Sequence, residues 1–430
     1  MIFFNLVLGK LILFSLKLAG HSGSALPGLV IEKLSPAFLV KMLAALPRGV
    51  VIVSGTNGKT TTTKLLTDIL KSQGLHVLSN QTGSNFERGI VSTIIKDTKL
   101  FSKASYDIAV LELDEAHAVR FAQRVPSIGL VALNIMRDQM DRFGEIDHTA
   151  ELLKTVAKSV KNWLVLNAND RLVSELVTSQ PNKRTYWFGF DKKLKNLFVS
   201  DDQLYAHRSD YFLAHFPDVN LLSLANQANA INVGVDQQVH RLETRLTGQH
   251  NAINIAAAIT AARAIMPNLS MDAIKQAVHN SQPAFGRGET IALDNGRQLR
   301  LQLVKNPGSF AYSLHALHGV STKATIGIAI NDNYADSRDV SWLWDVEFGD
   351  LQGFSDIICG GSRAYDMAVR LKYDQIQVAG VEPSLEVFLK TCIRGRHDNQ
   401  QTIILFCTYT AMLNLRRLLG GHARLEEAGV

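Results

Sequence analysis

The sequence predicts an α/β chain made of two successive parallel-sheet units, and three observations predict it. From Arg48 onward short apolar runs alternate with helical patterns, as buried strands alternate with crossover helices. The alternation breaks once and then starts again, so a single sheet does not account for the chain. The 430 residues, at about 150 per domain, allow two or three independent cores. The composition, 46% hydrophobic and 20% charged with ten prolines, excludes a disordered polymer, and the length excludes a small stapled scaffold.

In chain order, residues 49–54 read as a buried strand, 59–71 as a helix stopped by Gly74, and 76–79 as the next strand. Residues 106–113, 128–134 and 163–167 continue the series. Over 185–220 charges and aromatics mix without a helical period, which predicts a small, strand-rich inserted subdomain at about 185–225. The pattern resumes with a helix after Gly248, and Asp294-Asn295-Gly296 supplies a turn able to join two domains. Beyond it, 299–304, 324–330, 355–360, 376–379 and 402–407 read as strands of a second α/β unit. The expected division is an apolar or amphipathic helical segment at 1–43, a central domain at 44–295 and a carboxyl-terminal domain at 296–430.

Residues 1–20 are apolar enough to imitate a membrane anchor, but Lys10 and Lys17 interrupt them short of the roughly 20 apolar residues that a spanning helix needs. No basic start precedes the apolar run, as a secretory signal requires. The segment reads as a helix docked on the protein's own core, or one lying on a membrane face or a partner. Lys and Arg exceed Asp and Glu by six, which favours acidic partners such as phosphates, nucleotides or an anionic membrane without choosing among them. Three cysteines, Cys359, Cys392 and Cys407, show no C-x-x-C spacing and leave one over in any disulfide scheme, so a reducing, cytoplasmic compartment is expected.

The strongest local signal is residues 50–64, VVIVSGTNGKTTTTK. A buried strand enters Gly55-Thr56-Asn57-Gly58-Lys59-Thr60-Thr61, where small residues let backbone N–H groups face a polyphosphate at a helix start. Lys59 would neutralise phosphate oxygens and the Thr60 hydroxyl would ligate Mg²⁺. Val53 replaces the first glycine of G-x-x-x-x-G-K-T, and an ordinary strand–helix turn is the competing reading. Glu112 ends a strand where its carboxylate can reach a magnesium ion, with Asp114 and Glu115 as competitors and a solvated acidic turn as the plain alternative. The stretch from Asn134 through Arg137, Asp138, Asp141 and Arg142 suits a phosphate and metal rim or a surface salt-bridge cluster. His250, Asn251 and Asn254 open an alanine-rich helix and offer polar groups for a base or ribose.

Taken together, G-T-N-G-K-T-T, the strand-ending glutamate, G-x-H-N-x-x-N at Gly248 to Asn254 and G-R-x-E at Gly286 to Glu289 resemble the central ATPase domain of the Mur ligases. Those enzymes join an amine to a carboxylate through an acyl phosphate. The resemblance assigns Asn251 and Asn254 to adenosine and Arg287 to phosphate or the interdomain linker. Their usual UDP-sugar domain is missing, because the loop begins after only some fifty residues. The later motifs Leu303-Val-Lys305-Asn306-Pro307, Asn331 to Asp345, Gly361-Ser-Arg363-Ala, Arg370-Leu-Lys-Tyr373 and Thr408 to Met412 are similar to the MurT family of synthetase subunits, as are residues 83–89 and 137–142. The implied fold is a Mur-ligase-like central ATPase domain followed by a Rossmann-like α/β domain.

That resemblance implies ATP- and Mg²⁺-dependent amidation of the D-glutamate α-carboxylate of lipid II. Ammonia would come from a GatD-type glutaminase subunit, since the three thiols read as core residues. The substrate would be met at the inner membrane face, and no nucleic-acid partner is expected. Relatives lend an aspartate to the partner's Cys-His pair; Asp339 is preferred here and Asp345 second, although Asp339 also suits a helix N-cap. Relatives also carry a cysteine-ligated zinc ribbon. The insert here has no cysteine, and Asp201, Asp202, His207, Asp210 and His215 fit no tetrahedral site, so zinc is not expected. The competing functions are a stand-alone Mur- or folylpolyglutamate-type amino-acid ligase and a non-catalytic scaffold for the glutaminase.

Overall fold

The computed structural model describes residues 2–18, 26–80, 87–98, 106–136, 146–198, 211–225, 229–246, 248–283, 287–294, 296–395 and 402–420. Three helices, α1 (Ile2–Leu18), α2 (Leu26–Leu34) and α3 (Ala37–Ala44), precede the first strand. The first sheet unit then runs β1 (Val50–Ser54), α4 (Lys59–Ser72), β2 (Val77–Ser79), α5 (Glu87–Asp97), β3 (Ile108–Glu112), α6 (Glu115–Arg124) and β4 (Gly129–Ala132). It continues through α7 (Ile146–Ser159), β5 (Trp163–Asn167), α8 (Arg171–Ser174), β6 (Arg184–Phe190), β7 (Val219–Ala225), β8 (Ala230–Val235), β9 (Gln238–Glu243), α9 (Gln249–Ile265) and α10 (Met271–Asn280).

The nine strands form one sheet in the order β2-β3-β1-β4-β5-β6-β7-β8-β9. It is parallel from β2 to β7 and antiparallel over β7, β8 and β9. β1, β3, β4 and β5 are buried at every position, which is why they read as unbroken apolar runs. One face packs on α4 and α9, whose run Ala256-Ala257-Ala258 lets the helix lie close to the strands; the other packs on α2, α3, α5, α6 and α7.

The second unit comprises β10 (Arg287–Ala292), β11 (Gln298–Leu303), α11 (Pro307–His315), β12 (Thr325–Ala329), β13 (Ile357–Gly360), α12 (Ala364–Tyr373), β14 (Gly380–Glu382), α13 (Leu385–Arg394), β15 (Ile403–Cys407) and α14 (Tyr409–Leu419). Its strand order is β10-β11-β15-β12-β13-β14, parallel except for β10. Two apolar clusters, one on each face, make this a second three-layer core.

Three expectations are corrected. Residues 184–190 and 219–225 are not strands of a separate insert: β6 pairs parallel with β5 and β7 with β6, so both extend the main sheet. The aromatic and polar composition of β6 reflects its half-burial, exposed at Arg184 and buried only over Trp187 to Gly189. Strand β10 lies before the expected junction at 295/296 yet pairs antiparallel with β11, so the second sheet begins at Arg287. The strand expected at 376–379 lies instead at Gly380–Glu382, because Ile376 enters the core from a turn in which Gln375 is left-handed, φ 58°.

Helix α1 docks through Leu6 and Gly9; a Cβ at Gly9 would stand 2.8 Å from Ile95 of α5. Among the described residues no helix is long and apolar enough to cross a membrane. The α2–α5 contact is closer still. Gly28 N donates to Ser92 Oγ at 2.9 Å, and a Cβ at Gly28 would lie 1.9 Å from the Arg88 carbonyl oxygen. Backbone cannot yield as a flexible side chain does, so Gly28→Ala should destabilise the fold by about 1–3 kcal/mol, the range for overpacking. A urea-unfolding midpoint shifted downward checks this; an unchanged midpoint would mean that the two helices separate freely.

Candidate functional site

The carboxyl ends of β1 and β4 lie side by side where the chain's crossovers depart in opposite directions, the crevice in which open α/β sheets hold ligands. The loop after β1 is fixed there mainly by residue Asn134, just beyond β4. Its Oδ1 accepts from Asn57 N at 2.8 Å and its Nδ2 donates to Asn57 O at 2.9 Å. Asn134 O also accepts from Thr56 N at 2.9 Å, while Thr56 Oγ1 accepts from Met136 N and donates to Met136 O. Gly55 (φ 131°) and Gly58 (φ 88°) occupy backbone conformations that favour glycine. At Gly58, the N-cap of α4, a Cβ would stand 2.2 Å from Asn254 Oδ1.

Lys59 is nearly buried, its ammonium donating to Gly55 O at 2.5 Å and lying 3.7 Å from Glu115 Oε1. Thr60 Oγ1 donates to Glu112 Oε1 at 2.9 Å. Glu112 is 4% exposed and its other oxygen, Oε2, is buried without a hydrogen-bond partner. A buried carboxylate with one oxygen left over, beside a loop threonine, is what a hard divalent cation needs, so Thr60 and Glu112 fit Mg²⁺. Of the rival acids, Glu115 is equally buried, its Oε1 also without a hydrogen bond though 3.7 Å from the Lys59 ammonium, so it remains a neighbouring candidate, whereas Asp114 has other work. Asp114 caps α6 by accepting from His117 N; burial pushes its carboxyl up, but the His117 hydrogen bonds and charge outweigh this and hold it below the usual range.

A cleft of about 970 Å³, open solvent at its mouth included, runs from this loop between the two sheet units. Asn57, Thr61, His250, Asn254 and Phe190 line it from the first unit and Tyr312 from the second. It offers polar groups and ring faces together. The second unit also touches the loop directly: Lys305 Nζ donates to Thr56 O at 3.1 Å and Asn306 Nδ2 to Asn57 Oδ1 at 3.2 Å. Asn306 and Ser309 form a capping box that starts α11, with Pro307 in its first turn, and so hold this contact in place.

The second sheet has its own crevice between the carboxyl ends of β12 and β15, and its side chains fill it. Asn331 N donates to Thr408 Oγ1, Asn331 Nδ2 to Thr410 Oγ1, and Thr410 N to Asp336 Oδ1 at 2.7 Å. Asp332 accepts from Ser362 Oγ and Arg363 Nε; these bonds keep its carboxyl below the usual range. This pinned loop leads to the turn 341–345, braced from behind by Arg370, which donates to the Leu343 and Val346 carbonyls and lies over the rings of Trp344 and Phe348.

The chain's sequence matches two family descriptions, the Mur ligase middle domain over residues 53–262 and the MurT ligase C-terminal domain over residues 303–412. It is 32% identical to the lipid II isoglutaminyl synthase (glutamine-hydrolyzing) subunit MurT of Streptococcus pneumoniae, covering 92% of each chain. The subunit of the same name from Staphylococcus aureus is 29% identical over 86% of this chain and 87% of its own. The chain belongs to the MurT family of Mur-type ligases. Among solved structures its fold is similar to a type C pseudomurein peptide ligase from Methanothermus fervidus, TM-score 0.68 at 20% identity, covering 90% of this chain and 81% of the other. A MurF ligase from Thermotoga maritima in complex with ADP gives TM-score 0.62 at 16% identity, covering 91% and 83%.

In this MurT-family chain the expected loop residues Gly55 to Thr61, with Glu112, Asn251 and Asn254, gather at one sheet edge. Arg287 opens β10, and its side chain lies outside the described residues, as do Arg137 to Arg142. The glutamate of G-R-x-E, Glu289, pairs with Arg416 of α14 and so braces the second unit. Asp339 is half-buried and accepts from Ser341 N, two residues on, at 2.8 Å, but the N-cap of the 341–345 turn is Val340, without a side-chain cap bond; Asp345 is exposed at the turn's end. Asp201, Asp202, His207 and Asp210 lie outside the described residues, and His215 stacks on Trp187. The three cysteines are free and buried; burial pushes Cys359 up to about 12 and raises Cys392 and Cys407 as well. The reading of motifs did not assign Lys305 and Asn306 to the loop or Asn134 to its bracing. A lysine and asparagine just ahead of a helix-starting proline were the available signal.

Gly58→Ala combines a left-handed backbone with a Cβ that would displace the buried Asn254 carboxamide lining the cleft. It should weaken binding of an ATP analogue at least about tenfold, the equivalent of 1.4 kcal/mol. Gly74→Ala, also at positive φ but in open space, should leave that affinity unchanged. Calorimetric titration of both variants checks the pair.

Proposed function

We propose that the chain is the synthetase subunit of a lipid II isoglutaminyl synthase. It uses ATP to amidate the α-carboxylate of D-glutamate in lipid II, with ammonia supplied by a GatD-type glutaminase subunit. The observation that carries the reading is a combination: an intact phosphate loop with its Lys59 and Thr60–Glu112 pair, in a chain whose three thiols are all buried. Such a protein can activate a carboxylate, but its thiols are buried away from glutamine, so the ammonia is better supplied from outside the chain.

A carboxylate resists attack by ammonia because its oxyanion is a poor leaving group. In the proposed reaction a carboxylate oxygen attacks the γ-phosphorus of ATP, the bond to the β-phosphate oxygen breaks, and ADP leaves. Ammonia then attacks the acyl carbon, phosphate departs with the bonding pair, and the nitrogen loses a proton to give the amide. Bound Mg²⁺ supplies charge neutralisation on the transferring phosphoryl group. Lys59 exchanges the Gly55 carbonyl for phosphate oxygens, and the two loop glycines leave room for the polyphosphate. Lys305, held against the same loop from the other domain, adds a second positive charge when the cleft is closed.

An exposed aromatic stripe supports a partner surface on the second unit. Tyr365, Val369 and Tyr373 follow one face of α12 at i, i+4 and i+8, and Trp344, 52% exposed, meets Tyr373 edge-on with centroids 5.0 Å apart. Tyrosine, tryptophan and arginine are the residues that dominate protein interfaces. Asp345 follows Trp344 in the chain and Asp339 precedes the turn, with Asp339 the one whose carboxylate is already oriented, by Ser341 N.

Reconstitution with the glutaminase subunit, lipid II, glutamine and ATP, followed by mass analysis of the lipid, tests the function. Lys59→Ala should abolish amidation and ATP hydrolysis while leaving the protein folded by circular dichroism, at a lowered thermal midpoint because Glu115 loses its ion-pair partner; full ATP-dependent amidation by that variant would sink the assignment. The borrowed aspartate separates the half-reactions. Asp339→Asn keeps shape but removes the charge that would stabilise the partner's imidazolium, so glutamine-dependent activity should fall by about two orders of magnitude or more. Concentrated ammonium salts should restore amidation. Loss of ammonia-dependent activity as well would move Asp339 to the acyl-phosphate site, and full activity with glutamine would pass its role to Asp345.

A further inference from the structure

Six of the exposed large apolar side chains among the described residues fall within the first 34 positions. Four of them sit on α1: Phe3 (51% exposed), Phe4 (66%), Leu11 (57%) and Phe14 (62%). At 100° per residue these four lie within about 100° of arc, a single stripe along the helix. The opposite side carries the docking contacts, Leu6 buried in the core and Gly9 closed against Ile95 of α5. The helix is therefore held to the protein by one face and shows aromatic and leucine side chains to solvent on the other. Leu26 and Leu34 of α2, which packs beside α1, are exposed as well.

The charge around this stripe is one-sided. The first 31 residues contain Lys10 and Lys17 and no Asp or Glu. Lys10 donates to the Lys96 carbonyl, which places its ammonium at the junction of α1 and α5, and Lys33 and Lys41 are exposed on α2 and α3. Glu32 is the acid of α2, and α5 carries Glu87 at its start, its side chain outside the described residues, and Asp97 at its end, which accepts from the Tyr106 hydroxyl. Apolar rings flanked by lysines suit a surface whose interior is hydrocarbon and whose headgroups are negative. Helix α1 does not meet the length and apolarity of a membrane span, so it would lie in the plane of the interface.

We propose that the outward stripe of α1 is a binding surface for an anionic lipid bilayer, laying the enzyme on the membrane with Phe3, Phe4, Leu11 and Phe14 among the headgroups and upper acyl chains. This deepens the function proposed above, on which it rests for the source of the lipid-linked substrate. Binding to vesicles is read without catalysis, so the two can fail separately.

The test is cosedimentation of the full chain, in complex with its glutaminase subunit, with vesicles of phosphatidylcholine alone or mixed with phosphatidylglycerol. The wild type should sediment with the mixed vesicles and be released by salt. The triple variant Phe4→Gln, Leu11→Gln, Phe14→Gln changes only exposed positions and should partition at least tenfold more weakly, yet amidate a water-soluble substrate lacking the lipid tail at the wild-type rate. Phe14→Trp, which keeps the stripe apolar, should shift its fluorescence to the blue on mixed vesicles. A wild type that stays in the supernatant, or a triple variant that sediments equally, overturns the proposal. So does a wild-type dimer that the triple variant abolishes and vesicles do not compete away, since a second copy of the chain would then cover the stripe.

Discussion

The side chain of Asn134 is the join on which the site depends. A loop that binds phosphate must keep its backbone polar groups ordered without filling the space the phosphates need. Here a single carboxamide from the neighbouring strand satisfies both the N–H and the C=O of Asn57. The bond spans the crevice between β1 and β4, so the register of those two strands sets the loop's shape. Every other feature of the site is measured from that fixed backbone. Lys59 and Lys305 both reach carbonyls of the same loop, Gly55 O and Thr56 O, from opposite domains. Buried ammonium groups need such partners. Exchanging a carbonyl for a phosphate oxygen then replaces one partner by a stronger one without a new desolvation step.

Both sheets are largely parallel but differ in strand order, and they use their crevices differently. The first leaves its crevice open, with a carboxylate oxygen on Glu112 that finds no partner inside the protein. The second closes its crevice with a hydrogen-bonded network in which Asp336 is 3% exposed; burial raises its carboxyl despite the bonds from Thr410. A filled crevice cannot hold a ligand, but it gives a rigid footing for the segment that leaves it. That segment runs through Ser337, a non-glycine residue in the left-handed region, to Asp339 and the tryptophan turn. An unusual backbone held by a dense network marks a position fixed for what it presents.

How much of this was legible in the sequence follows the range of the interactions. The turn from β1 into α4 could be read because strand, glycines, lysine and helix are consecutive, and the place of Glu112 at the same sheet edge because it ends an apolar strand. Asn134 was visible only as the start of a charged run, since its partners lie 77 residues away. Glu289 looked like part of a nucleotide motif, yet it is paired with Arg416, 127 residues on. Strands β6 and β7 were assigned to a separate insert because their aromatics and charges hide the parallel pairing that joins them to β5. The outward face of α1 was invisible for the opposite reason. That helix is apolar nearly all round, so only packing on α5 decides which side remains in water.

One short helix meets both regions that the proposed reaction must coordinate. An acyl phosphate is lost to water unless the cleft is shut when ammonia arrives, so ammonia release and closure have to be matched. The capping box of α11 sets Asn306 against the phosphate loop, and Tyr312 lines the cleft one turn further on. On its other side Phe310 packs against Trp342 at 6.3 Å and edge-on against Phe348 at 5.1 Å, the rings that support the turn carrying Asp345. A nine-residue helix with its first turn locked by a reciprocal cap moves as a unit. The contact of the second unit with the loop and the position of the aspartate turn are therefore set by the same rigid piece, and the proposed partner surface cannot shift relative to α11 without disturbing the aromatic packing beneath it.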